Sequence, residues 1–340
     1  MSGRKTVVRD RRVRVTLALI MLFLIGILAL ILIVLFTKTD RKMEMPLLWS
    51  NSRMVYISAD QTAMQSDDAL SLDICVGGDN VAYEDISLIG NERGALFSLD
   101  DRKVLFSKDM HQKIYPASIT KLLTAILALK SDKLDENVVI NWKDLELESG
   151  SQVVGFRIGD RVSMKALMRG LLIHSGNDAA QAIARVVGGT QENFIKMMNE
   201  ELDALGCTGS HFTNPTGLHD ENHYTTVYDI YLMLNEAMKY DEFVNIIQIP
   251  VYDLQYWNSE GKEMHVTLDS TDKYLTGEVE PPKDVSVLGG KTGTTSAAGS
   301  CLSVIAQNAY GQFYIAVVVR AASKDDLYTD INQLLSHINS

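Results

Sequence analysis

Strand-like alternation at both ends of the body of this chain, with helix-like periodicity between, does most to narrow its fold. Ala95-Leu-Phe-Ser-Leu99 and Val104-Leu-Phe-Ser107 flank the turn Asp100-Asp-Arg-Lys103 and predict a hairpin. Far along the chain, Asp284-Val-Ser-Val-Leu288, Cys301 to Ala306 and Gln312 to Arg320 read as strands, the last two joined by Asn308-Ala-Tyr-Gly311. The middle has a period near 3.6 instead. Leu122, Leu123, Ala125, Ile126 and Leu129 share a broad apolar face, as do Met164, Leu167, Met168, Leu171 and Leu172. Further helices are expected from Asp178 to Gly188, from a Thr190 cap to Gly206, and from Thr226 to Met238, where Asp229 completes a capping-box variant. A last helix opens at Ser323 and buries Leu327, Ile331, Leu334 and Ile338. Residues 131–160 are irregular and turn-rich. An antiparallel sheet closed by distant segments and flanked by helices, with a mainly helical lobe inserted at about 118–240, satisfies this order. The fold class is α/β in the α+β sense.

Ahead of this body, Leu17 to Phe36 is an apolar run long enough to cross a bilayer as a helix. The first fourteen residues hold six basic side chains and one acidic one, net +5, so this flank is expected to stay cytoplasmic. Thr37-Lys-Thr-Asp-Arg-Lys42 offers no small-x-small cleavage site, which favours an uncleaved anchor. The expected organisation is a basic tail (1–16), a single-pass transmembrane helix (17–36), a stalk and lead-in (37–90) and an extracytoplasmic catalytic domain (91–340). Removing +5 from the total of −11 leaves −16 for the rest, which argues against a nucleic-acid surface. Cys75, Cys207 and Cys301 are odd in number and far apart, and read as buried thiols. Trp142 and Trp257 are expected to pack in the core or between lobes, and Trp49 likewise.

Chemistry enters at Tyr115-Pro-Ala-Ser-Ile-Thr-Lys121. Ser118 and Lys121 are three apart at the head of an apolar run, so a helix would stack hydroxyl and amine on one face. A desolvated lysine can take the proton that makes serine a poor nucleophile. Ser-x-x-Lys also begins at Ser2, Ser259 and Ser270, but only Ser118 is followed by a helical apolar run. Two more motifs lie at element edges. Ser175-Gly-Asn177 falls in a break between helices, and Lys291-Thr-Gly293 follows a strand, with Gly289 and Gly290 directly before it.

In this order the three motifs resemble those of the penicillin-interacting serine enzymes, the DD-peptidases and serine β-lactamases. Leu171-Leu-Ile-His-Ser-Gly-Asn-Asp-Ala-Ala180, His211-Phe-Thr-Asn-Pro-Thr-Gly-Leu218 and His223-Tyr-Thr-Thr226 sharpen the likeness to D-alanyl-D-alanine carboxypeptidases among the low-molecular-mass penicillin-binding proteins. The resemblance implies a DD-peptidase/β-lactamase-like fold with Ser118, Lys121 and Ser175 catalytic and Asn177, Lys291, Thr292, Gly293 and Thr294 binding substrate. Ser118 would attack the penultimate D-Ala carbonyl, with Lys121 as base, its pKa lowered by burial and by Lys291. Ser175 would relay a proton to the leaving nitrogen, while Asn177 holds substrate backbone or positions Lys121. Lys291 and Thr292 would hold the terminal carboxylate, and the N–H groups of Ser118 and Thr294 would form the oxyanion hole. The glycines of the last motif are expected to make room for the extended substrate. Partners so implied are peptidoglycan stem peptides ending in D-Ala-D-Ala and β-lactam inhibitors, with no metal or organic cofactor.

Three rivals stay in view. A class A β-lactamase would carry Glu-x-x-Leu-Asn between the second and third motifs. The one Leu-Asn there is Leu234-Asn235, with Tyr231 at the glutamate position. Transpeptidation differs only in whether water or an amine attacks the acyl-enzyme, and a silent wall-binding or sensor protein could keep the pocket without turnover. His219 and His223 have metal-ligand spacing, but Asp220 stands where a zinc protease needs Glu, so a loop is expected. His174 reads as a helix-end histidine bonded to backbone.

Overall fold

The first hairpin finds its partner at the other end of the chain. In the computed structural model, which describes residues 74–339, β1 (Arg93–Ser98) pairs with β2 (Lys103–Lys108) on one side and β9 (Phe313–Ala321) on the other. β8 (Gly299–Gln307) and β7 (Ser286–Thr295) complete a five-stranded antiparallel sheet in the order β2-β1-β9-β8-β7. Alternate β1 residues serve opposite faces. Leu96 joins Val304, Ala316, Leu327, Ile331 and Leu334 in the core under the C-terminal helix, Lys324–Leu335. Phe97 instead stacks on Tyr231 of the helical lobe, ring centroids 4.1 Å apart. The sheet is thereby closed by distant segments, as the sequence implies.

The lobe comprises α1 (Lys121–Lys130), α2 (Met164–Leu172), α3 (Asn177–Gly188), α4 (Gln191–Ala204), α5 (Val227–Ala237) and α6 (Asp241–Ile247), and α7 (Lys273–Thr276) and α8 (Lys324–Leu335) follow it. Thr190, Thr226 and Ser323 cap their helices by accepting from the N–H three residues on, at 3.0–3.1 Å. The box at Thr226 is only half formed. Asp229 turns its carboxylate to Gly209 N (3.0 Å) and Ser210 Oγ (2.6 Å), fastening the loop after α4.

A second sheet, β3-β4-β5-β6, departs from expectation. β3 (Asn137–Val139) comes from the stretch read as irregular and β4 (Arg161–Ser163) follows directly after it; three residues are too few to show alternation. β5 (Val251–Trp257) and β6 (Glu263–Asp269) form a hairpin with Leu254, Tyr256 and Leu268 buried, while Val251 and Trp257 face outward and blur the pattern. Trp142 (59% exposed) and Trp257 (46%) are surface residues, against the core placement expected of them. The three cysteines are free and buried.

The described end of the lead-in is laid against the sheet. Cys75 N donates to Tyr231 Oη (2.8 Å), Tyr228 Oη donates to Cys75 O (2.8 Å), and Val81 pairs with Ser107 of β2. The basic tail, the apolar run 17–36 and Trp49 lie outside the described residues. Among those described, no helix is long and apolar enough to cross a membrane.

Candidate active site

Ser118 stands in a single 3-10 turn, Ala117–Thr120, that leads into α1. Ala117 is held at φ +48°, a conformation that costs an L-residue about 1 kcal/mol or more, and this kink precedes the serine directly. α1 runs through the core with every residue from Lys121 to Leu129 buried, so its first side chain is dry. Lys121 Nζ lies 2.8 Å from Ser118 Oγ and donates to Thr216 O at 2.8 Å. Burial holds the Lys121 amine well below a lysine's usual range. The Lys291 charge lowers it further, and Asp178 opposes both.

The other two motifs meet each other. Ser175, at φ +61° between α2 and α3, accepts from Lys291 Nζ at 3.0 Å, and Lys291 also donates to Thr292 O at 2.9 Å. Lys291 is buried, which brings it down to about 7 against an upward pull from Asp272. Thr292 Oγ1 lies 2.5 Å from Thr271 Oγ1. Asn177 begins α3 and donates its backbone N–H to Gln152 O (2.8 Å). Ser118, Asn177, Thr216 and Thr294 line one cleft of about 360 Å³ together with the loop from Glu148 to Gln152.

Two sequence expectations need correction. Lys291-Thr-Gly293 lies within β7 rather than after it: the strand starts at Ser286, is bulged near Leu288, and pairs with β8 through Thr295. The glycines of this strand make room for the protein's own backbone. A Cβ on Gly290 would strike Ser303 O, one on Gly289 would strike Ile247 O, and one on Gly293 would sit 2.9 Å from Ser118 N and 3.0 Å from Pro116 O. Glycine at 293 therefore lets β7 press against the turn that carries Ser118.

Several residues of the site went unassigned in the sequence. Asp178, directly after Asn177, is buried and accepts from Val154 N (2.9 Å), Gly155 N (2.8 Å) and Phe156 N (3.3 Å), fixing the loop beyond Gln152. The loop His211–Leu218 supplies Thr216 O to Lys121 and Pro215 O to Thr124 Oγ1 (2.7 Å). Gly217 sits at φ +84°, where a Cβ would run into the Ala117 carbonyl. Gly217→Ala is expected to cost about 2–4 kcal/mol and lower the melting temperature by roughly 5–10 °C. A thermal melt within about 1 °C of the parent would contradict this packing.

The histidines serve structure. His223 is buried, with Nε2 2.7 Å from Thr120 Oγ1 and Nδ1 accepting from Thr213 N (3.0 Å), and it stacks on Phe212. Burial pushes it down to about 3, so it is neutral. His219 packs edge-on against Tyr115. His174 meets the Gln152 side chain, 2.7 Å between Nε2 atoms, in place of the backbone partner expected. Among the described residues, no group of three or more His, Cys, Asp or Glu side chains could hold a metal ion.

The architecture is that of the DD-peptidases. The Streptomyces K15 DD-transpeptidase superposes with a TM-score of 0.67 at 24% identity, covering 75% of this chain and 97% of that one. A D-alanyl-D-alanine carboxypeptidase from Mycobacterium tuberculosis superposes at 0.64 with 26% identity, over 74% of this chain and 92% of the other. Residues 93–323, from β1 to the cap of α8, match the D-alanyl-D-alanine carboxypeptidase family, and the chain belongs to that family. It is 30% identical over 243 residues, 71% of its length, to the D-alanyl-D-alanine carboxypeptidase DacF of Bacillus subtilis, and the match spans 60% of that relative.

Proposed function

We propose that this chain is a membrane-anchored serine-type D-Ala-D-Ala carboxypeptidase acting on peptidoglycan stem peptides. The observation that carries the reading is the 2.8 Å approach of a fully buried Lys121 amine to Ser118 Oγ at the mouth of a cleft. A neutral amine there takes the serine proton as Oγ attacks the penultimate D-Ala carbonyl. The N–H groups of Ser118 and Thr294 face the oxyanion, donors fixed before reaction. As the C–N bond breaks, Lys121 gives that proton up through Ser175 to the leaving nitrogen and is neutral again for deacylation, while Lys291 keeps its charge and fixes the Ser175 hydroxyl from 3.0 Å. Lys291 and Thr292 hold the terminal carboxylate, and Asn177 orients the acyl-side backbone. Water then cleaves the ester and returns the proton through Lys121.

β-Lactams acylate Ser118 by the same first step and leave slowly in this reading. Tyr231, at the position where a class A β-lactamase has its glutamate, is buried, with its hydroxyl bonded to Cys75 N, and so brings no carboxylate to activate a water. The apolar run 17–36 and its +5 flank support an N-terminal anchor with the catalytic domain outside the membrane. Carbonate-washed membranes should retain the full chain, and its release would refute the anchor. Turnover is tested with a pentapeptide ending in D-Ala-D-Ala. Release of one D-Ala, stopped by penicillin, is expected. A stable protein that releases none would favour a silent binding protein, and transfer of the acyl group to an added amine in preference to water would favour a transpeptidase.

A further inference from the structure

The cleft beside Ser118 borders the later half of β7, past the point where the strand meets the serine. β7 meets the Ser118 turn at Gly293, with Lys291 and Thr292 before that point and Thr294 and Thr295 after it. The β7 residues lining the cleft are Thr294 and Thr295. In the proposed reaction the terminal carboxylate goes to Lys291 and Thr292, so the leaving D-Ala takes that end. The acyl half of the peptide, including the residue ahead of the D-Ala pair, then occupies the cleft.

Lining the same cleft as Thr294 and Thr295 is the loop that carries Glu148, the one charged side chain among the lining residues. Glu148 is exposed, and its carboxylate has no ion-pair partner among the described residues. The loop is nonetheless held at both ends. Asp144 on one side takes two hydrogen bonds from Arg185, at 2.7 and 2.8 Å, and Gln152 on the other accepts from Asn177 N at 2.8 Å. Ser151 N donates to Glu148 O at 3.1 Å and closes the turn between them. A carboxylate on a fixed turn at the edge of an otherwise uncharged acyl-side cleft is suited to a cation on the substrate.

Resting on the carboxypeptidase reading, we infer that Glu148 selects peptides whose residue ahead of the D-Ala pair carries a free side-chain ammonium, as lysine or another diamino acid does. Peptides in which that amine has been acylated are discriminated against. The enzyme then acts on stem peptides before reactions that convert this amine to an amide.

The test compares acetyl-Lys-D-Ala-D-Ala with the same peptide acetylated on the lysine side chain, on the parent protein and on Glu148→Gln. The parent should favour the free amine roughly fivefold in kcat/KM at low salt, the order of a solvent-accessible ion pair, and less so in high salt. Glu148→Gln should bring the ratio to about one. A parent ratio near one, or a ratio that survives Glu148→Gln, would overturn the inference. Cleavage of neither peptide would defeat the carboxypeptidase reading instead. Selection by Glu148 is then read from binding of the two peptides to the Ser118→Ala protein, where equal affinities would overturn it.

Discussion

Ser118→Ala is expected to abolish covalent labelling by a fluorescent penicillin and to lower D-Ala release by at least about 10³-fold, the scale on which an enzyme loses rate with its nucleophile. The protein should stay folded. Ser118 is only half-buried, and replacing its hydroxyl frees Lys121 from one contact while leaving the Thr216 carbonyl as partner. A melting temperature near the parent's separates loss of the nucleophile from loss of the fold. Labelling that persists in the variant would place the nucleophile elsewhere.

The second large effect is on pH dependence. In the proposed mechanism Lys121 has to be neutral to accept the serine proton, whereas Lys291 has to be charged to hold a carboxylate. Burial lowers both amines, the Lys291 charge lowers Lys121 further, and Lys291 stands at about 7. For a peptide with a free terminal carboxylate, kcat/KM should fall as pH rises through about 7 and Lys291 loses its proton. It should also fall on the acid side as Lys121 gains one. A peptide with its terminal carboxyl amidated should lose the limb near neutrality, and Lys291→Arg should move that limb well up in pH, since guanidinium stays charged. An unchanged limb with the amidated peptide would show that Lys291 does not read the carboxylate.

The same shift has a stability consequence of definite sign. Folding depresses the pKa of Lys291 from its ordinary 10.5 to about 7, so between those values the unfolded chain binds the extra proton. The cost is full below about 7 and diminishes as pH rises toward 10.5, so stability rises across that window. Lys291→Met should flatten the rise measured by denaturant titration.

Sequence patterning located what depends on local chemistry. Thr190, Thr226 and Ser323 cap the helices they were read as capping, because a hydroxyl accepting from the third N–H onward needs no tertiary partner. The closing of β1 on β9 followed from strands at both ends and helices between. What escaped depends on long-range approach. The β3-β4-β5-β6 sheet is built partly of three-residue strands and partly of a hairpin with apolar residues on its outer face. The end of β7 was set too early, at Leu288, since the glycine pair looked like a strand end and instead admits Ser303 and Ile247 carbonyls.

At the site, the serine, lysine and asparagine motifs were legible because each couples a chemical group to an element boundary. Asp178 could have been found from its place beside Asn177. Thr216 could not, since it contributes a backbone carbonyl, and any residue type supplies one. Glu148 lay in a stretch without periodicity, and only the cleft reveals what it faces.

The most direct test of the central claim is the mass of the protein during turnover. The chain is mixed with a D-Ala-D-Ala pentapeptide, quenched in acid within the first turnover and digested. The peptide bearing Ser118 should gain the mass of the substrate less one D-Ala, and the adduct should vanish on longer incubation. Release of D-Ala with no adduct on Ser118, or an adduct on another residue, would contradict the account.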